Sequence, residues 1–256
     1  MRKFILVFVV VAVTASMGLA EMDRSLYTKE NAFPEVMSPE VSVLFEYREI
    51  KDRDEQFRDT DANLTTYNFE GRFRPIEEVA LRATVPFSHY DPSSGDSHRG
   101  MGDISFGADL IAFQNIFDYP YVIPYVDYTF ETGDEDKHLG VGEDFATIGL
   151  ALGTTTFDKF LWSLDVSYNI YDNIENAFVV GVGLIWEISD EFSTIAETKL
   201  EEQSNDNPDN DDYAIYFTGG MIYDATDSLT LGLYGTGTAQ NAEEDVIVSI
   251  KASYEF

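Results

Sequence analysis

The sequence has no cysteine, and its 256 residues carry only 16 Lys and Arg against 47 Asp and Glu, with 3 His. Without cysteine there is no disulfide framework, no lipoprotein anchor and no thiol nucleophile. The shortage of basic residues leaves a formal charge of −31, which disfavours nucleic-acid partners because their phosphates are repelled. Such acidity suits a cell surface where divalent cations bridge anionic groups, and it also keeps a protein soluble. Long apolar runs are missing too. The longest, Phe4 to Val13, meets Thr14 and Ser16 after about ten residues, half of the about twenty that a membrane-crossing helix needs.

What is present begins with Arg2 and Lys3, the apolar stretch just named, and Gly18-Leu19-Ala20 before Glu21. Charged start, short apolar middle and small residues at the cut make residues 1–20 a secretory signal, cleaved after Ala20. An exported chain without disulfides must be stabilised by its own hydrogen-bonded architecture. The rest is rich in strand-forming and turn-forming residues, with 19 Phe, 15 Tyr and 18 Gly.

Alternation runs through most of it. From the C-terminus, Val246, Val248, Ile250, Ala252, Tyr254 and Phe256 share one face and Ile247, Ser249, Lys251, Ser253 and Glu255 the other. Trp162, Leu164, Val166, Tyr168 and Ile170 likewise oppose Ser163, Asp165, Ser167 and Asn169, as strands with a dry and a wet side require. Strands are predicted near 41–49, 63–74, 78–90, 102–113, 120–131, 145–156, 160–171, 177–188, 192–202, 213–223, 228–238 and 245–256. Short connections, such as Pro75 to Glu77, alternate with long polar ones, such as Thr132 to Asp144. An even count of about twelve with that alternation predicts an all-β, antiparallel up-and-down barrel in the outer membrane, its short turns periplasmic.

On this parity the lipid face is free of charge at mid-strand. Tyr47, Tyr67, Phe87, Phe130, Phe178 and Tyr213 form an outer aromatic girdle, and Phe73, Phe113, Tyr121, Trp162, Trp186, Phe192, Tyr223 and Phe256 an inner one. The wet face places Glu46, Arg48, Glu70, Arg72, Arg74, Arg82, Asp109, Asp127, Glu131, Asp165, Glu187, Glu197, Lys199, Glu201, Lys251 and Glu255 in the lumen. Acids outnumber bases there, so an open lumen favours cations. Alternatively, the charges pair and fill it. Arg72, Arg74, Arg82 and Lys251 are drawn toward one end as a basic patch or a salt-bridge cluster. Residues 21–39, with Pro34 and Pro39, read as an irregular periplasmic or plug segment ahead of a barrel over 40–256.

Candidate chemistry is sparse. The run Asn205 to Asp212 offers oxygen ligands but lacks the spacing of a calcium loop, and reads as a solvated outer loop. His89, His98 and His138 have no serine two residues away on the same face, and Asp91, Asp96 and His98 are only a faint acid–His group. No catalytic residue, cofactor or metal is expected.

Arg99-Gly100-Met101-Gly102-Asp103-Ile104-Ser105-Phe106-Gly107 resembles the Gly-x-Gly-Asp-x-x-x-Gly signature of outer-membrane proteins associated with the phenol-degradation meta pathway. Val85-Pro86-Phe87, Glu131-Thr132-Gly133-Asp134 and His138-Leu139-Gly140-Val141-Gly142 are similar to further segments of that family, with Glu131 where it often has Pro. The resemblance implies a barrel that passes small, often aromatic or hydrophobic molecules. Gly100 and Gly102 with Asp103 read as architectural rather than as a binding site. Two functions stay open: a passive channel for a small solute, and a structural or adhesive surface barrel with a filled lumen. Expected partners are outer-membrane lipid and lipopolysaccharide, and the barrel-assembly machinery through the strand ending in Phe256.

Overall fold

The computed structural model describes residues 24–29, 32–50, 61–111, 113–114, 121–157, 159–202, 213–239 and 244–256. The expected signal at 1–20 and the run Asn205 to Asp212 lie outside them. The strands are β1 Pro39–Ile50, β2 Ala62–Ile76, β3 Val79–Pro92, β4 His98–Met101, β5 Ile104–Leu110, β6 Phe113–Gln114, β7 Tyr121–Phe130, β8 Phe145–Thr156, β9 Phe160–Tyr171, β10 Ala177–Glu187, β11 Phe192–Glu202, β12 Tyr213–Thr226, β13 Leu229–Ala239 and β14 Glu244–Glu255. β4, β5 and β6 are consecutive pieces of one crossing, so fourteen segments make twelve staves. Neighbouring staves pair antiparallel, and β1 pairs β14 from Glu40↔Glu255 to Ile50↔Glu244. Closure leaves no sheet edge, and the backbone polar groups of the wall are satisfied within it.

The two faces are opposite in character. Outward residues are large and apolar, among them Leu81, Val85, Phe106, Ile148, Leu164, Phe217, Leu233 and Ile250, all exposed. Inward ones are polar and buried, among them Ser42, Thr66, Asp109, Ser163, Asp165, Glu197, Thr236 and Ser249. This is the inverse of a soluble barrel, and only hydrocarbon outside makes it favourable. Val182 stands at mid-strand on the apolar face, 48% exposed. Val182→Arg is expected to lower stability by about 2–4 kcal/mol in denaturant unfolding from lipid vesicles. Arg at Val179, which faces a lumenal cavity, is expected to cost less.

The outer aromatics Tyr47, Tyr67, Phe87, Phe130, Phe178 and Tyr213 are exposed on the lipid face, as are Trp162, Trp186, Phe192, Tyr223 and Phe256 toward the short turns. Tyr121 is a correction: it points inward, 2% exposed, and packs with Ile123 and Ala151 against Phe33 and Leu161. It shares the inward parity of Tyr125 and Asp127 on β7. Gly153, directly opposite on β8, leaves the space its ring covers. The predicted placement of Phe113 lies outside the described side chains.

The predicted strand at 102–113 is broken, and the break is built. Gly102 and Asp103 leave the ladder, and the Gly102 amide donates to the Pro86 carbonyl at 3.0 Å. Thr132 takes over the ladder's role on the other side: its hydroxyl donates to the Gly102 carbonyl (2.8 Å) and accepts the Ile104 amide (2.9 Å). The Asp103 carboxylate then accepts the amides of Thr132 (3.0 Å), Gly133 (2.8 Å) and Val141 (2.6 Å). A Cβ at Gly133 would collide with the Leu139–Gly140 backbone of this connection, and one at Gly140 with Asp103 itself. The glycine-rich signature is therefore a clasp that pins residues 131–142 to the barrel mouth, where the His138 ring lies 4.5 Å from that of Tyr90. A bond to a charged acceptor contributes about 1.5–3 kcal/mol. Asp103→Ala is accordingly expected to raise protease cleavage within 133–142 about tenfold or more, while the barrel keeps its heat-dependent gel shift.

Candidate functional site: the lumen

Three staves bring one cation between two acids. Arg82 on β3, Asp109 on β5 and Asp127 on β7 share the inward face, with Gly107 paired to both Arg82 and Asp127. A side chain at Gly107 would come within 2.8 Å of the Arg82 Nε, so glycine lets the guanidinium lie across the wall. Its Nη1 donates to Asp109 at 2.5 Å and its Nη2 to Asp127 at 2.5 Å, a pair of charge-assisted contacts of the strong kind. Tyr125 on β7 donates its hydroxyl to Asp165 at 2.6 Å.

Further round, Arg72 on β2 meets Glu40 at 3.2 Å, and both are buried. Arg48 bridges Glu46 (3.1 Å) and Glu244 (3.2 Å), and Asn68 also donates to Glu46. Lys199 pairs Glu201 at 2.7 Å and lies 4.2 Å over the Tyr216 ring. Glu70 accepts a long bond from Thr84. Arg74 stands apart from these: its guanidinium donates to the Glu77 carbonyl at 2.6 Å and closes the β2–β3 turn. Arg72 and Arg82 are cross-strand partners, yet each is held by its own acids rather than joined with Lys251 in one patch. Glu131 is exposed beyond the end of β7, where its amide donates to Asp144.

The wall side chains also hold residues 24–29 and 32–35. Glu197, 3% exposed, accepts the amides of Leu26 (3.0 Å), Tyr27 (3.1 Å) and Thr28 (3.2 Å) and the Thr28 hydroxyl. Arg24 pairs Glu187 at 3.1 Å, Lys29 pairs Asp109 at 3.3 Å, and Lys251 donates to the Ser25 carbonyl at 3.2 Å. Apolar contacts complete the seat. Leu26 packs on Ile185, Ile195, Ile222 and Tyr234, and Tyr27 on Ala214, Tyr216 and Ile247. These inward apolar residues would face water if the segment were elsewhere. Between the segment and the wall lies a cavity of about 270 Å³, bordered by Glu70, Arg72, Arg82, Asp109, Tyr125, Asp127 and Asp165 together with Tyr27, Lys29 and Phe33.

Sequence reasoning missed Glu40 and the inward tyrosines 121, 125, 216 and 234. For Tyr121 and Tyr125 the signal was present in their even spacing from Asp127. For Glu40 it lay in the step of two back from Glu46.

A closed antiparallel barrel that is apolar outside and carries its charges inside is a transmembrane β-barrel of the outer-membrane class. Within that class, the chain belongs to the family described as "Putative MetA-pathway of phenol degradation", whose sequence profile matches residues 56–256. That match begins after β1 and omits residues 24–38. In fold the chain is similar to an outer-membrane channel from Pseudomonas putida F1, with a TM-score of 0.74 and 12% identity over 92% of this chain and 100% of that one. It is similar also to the NanC porin (TM-score 0.58, 12% identity, 84% and 98% covered). A third neighbour is the CymD monoaromatic hydrocarbon channel (TM-score 0.52, 9% identity, 86% and 89% covered). No curated protein matches the sequence.

Proposed function

We propose that this barrel is a passive outer-membrane channel for small solutes, not a catalyst, and that residues 21–39 plug its lumen at rest. The observation that carries the reading is the cavity between residues 24–33 and the wall, where paired charges alternate with tyrosine faces. Such a lining gives a solute both hydrogen-bond partners and flat apolar surface. It suits a small planar molecule with a polar substituent, the chemistry that family membership and the CymD neighbour both suggest. Glu46, Glu70, Arg72, Arg82, Asp109, Asp127, Asp165, Glu187, Glu197, Lys199 and Lys251 line the route. Arg74 serves the turn.

Residues 1–20 are removed on export, residues 40–256 form the barrel, and its C-terminal strand ending in Phe256 engages the assembly machinery in a membrane of lipid and lipopolysaccharide. A second reading, a structural barrel with a filled lumen, draws on the extent of the ion pairing and on the seated segment. The discriminating experiment is reversal potential in a planar bilayer under a salt gradient. Cation-selective steps are expected, because acids exceed bases along the route. Silence from both the mature chain and a variant with a weakened plug would leave the structural reading.

A further inference from the structure

The wall grips residues 24–29 and 32–35 largely by their main chain. Besides the three consecutive amides on Glu197, Tyr234 donates to the Arg24 carbonyl (2.7 Å), Lys251 to that of Ser25 (3.2 Å), Tyr121 to that of Lys29 (3.4 Å) and Arg72 to that of Ala32 (2.5 Å). Glu255 accepts the Glu35 amide at 2.8 Å. Six side chains from five staves thus meet donors and acceptors that every polypeptide presents, while Leu26, Tyr27 and Phe33 enter apolar recesses. Main-chain bonds for affinity with side-chain recesses for selectivity is how folded domains bind extended peptides.

We propose that the lumen wall is a binding site for short peptides bearing apolar or aromatic side chains, and that the chain's own segment is its resting occupant. The proposal rests on the channel reading for the route by which a free peptide arrives, but not for the binding itself. A tethered occupant competes at an effective concentration of about millimolar, so a free peptide at micromolar concentration gains entry only when the segment's hold is weakened. Leu26→Pro with Tyr27→Pro weakens it without touching the wall, because proline removes two of the three amides given to Glu197.

The test is fluorescence anisotropy in detergent micelles, using the full-length mature chain and a fluorescein-labelled peptide spanning residues 24–35. The double-proline variant is expected to bind it about tenfold or more tightly than the wild type, since each bond to the carboxylate is a charge-assisted one. Adding Glu197→Gln to that background, or N-methylating the peptide at residues 26, 27 and 28, is expected to remove the gain. Equal titrations for wild type and double-proline variant would overturn the proposal, as would equal binding of the N-methylated peptide. A bilayer silent for both the wild type and the double-proline variant, alongside these expected titrations, would sink the channel reading and leave the peptide site standing.

Discussion

Arg82→Ala is expected to destabilise the folded barrel by about 3 kcal/mol, the lower end of what removing one member of a buried ion pair costs. The lower end applies because the adjoining cavity admits some screening. Asp109 and Asp127 both lean on this one guanidinium, at 2.5 Å each, and Asp109 is 3% exposed. Losing it leaves two carboxylates facing each other across Gly107, with Lys29 still paired to Asp109. Denaturant unfolding in lipid vesicles, followed by the gel shift on boiling, reads the effect. Replacing Arg82 by Met together with Asp109→Asn and Asp127→Asn is expected to recover much of the loss, since no unpaired charge is then left in the wall. A change within about 1 kcal/mol for Arg82→Ala would place this pairing with exposed surface pairs and remove it from the account of barrel stability.

Glu197→Ala is expected to act on conduction rather than on the fold. The carboxylate holds three amides and the Thr28 hydroxyl, and each such bond contributes about 1.5–3 kcal/mol. Losing this set shifts the docked segment toward the released state by about tenfold or more, so mean current at fixed voltage rises accordingly. Glu46→Gln is the control. Glu46 is also buried in the lumen, but its described bonds go to Arg48 and Asn68 in the wall and none to the segment. A matching rise in Glu46→Gln would attribute the effect to lumen charge, not to release of the segment.

Much of the wall was legible in the chain because a lipid-facing strand admits few exceptions. β8, β9 and β11 lie where strict alternation over 145–156, 160–171 and 192–202 predicts them. The broken fourth stave was not legible. Gly102 and Asp103 look like a loop-to-strand junction, whereas Thr132, thirty residues downstream, supplies the replacement bonds at that height. Tyr121 was misplaced because an aromatic near a strand end reads as a girdle residue, and only its parity with Tyr125 and Asp127 sends it inward.

The lumen divides in the same way. Which face Arg82, Asp109 and Asp127 occupy follows from alternation. That one arginine spans both acids depends on the stagger between staves, which periodicity does not encode. The irregularity of residues 21–39 was visible from its prolines and lack of alternation. The partners of residues 24–29 and 32–38 were not, because those contacts join positions far apart in the chain, from Ala32 with Arg72 to Leu26 with Glu197 and Arg24 with Glu187.

That residues 24–29 and 32–35 sit in the lumen and govern passage is tested most directly by Thr28→Cys with Ser163→Cys. The chain has no other cysteine, and these two hydroxyls already meet at 2.8 Å, close enough for side chains there to satisfy disulfide geometry. The measurement is single-channel current of this variant in a planar bilayer before and after addition of reductant. A disulfide that forms spontaneously in the folded barrel, with a silent bilayer until reduction restores wild-type openings, is the expected result. Thiols that stay free and reactive in the folded protein, or currents identical before and after reduction of a formed disulfide, would contradict it.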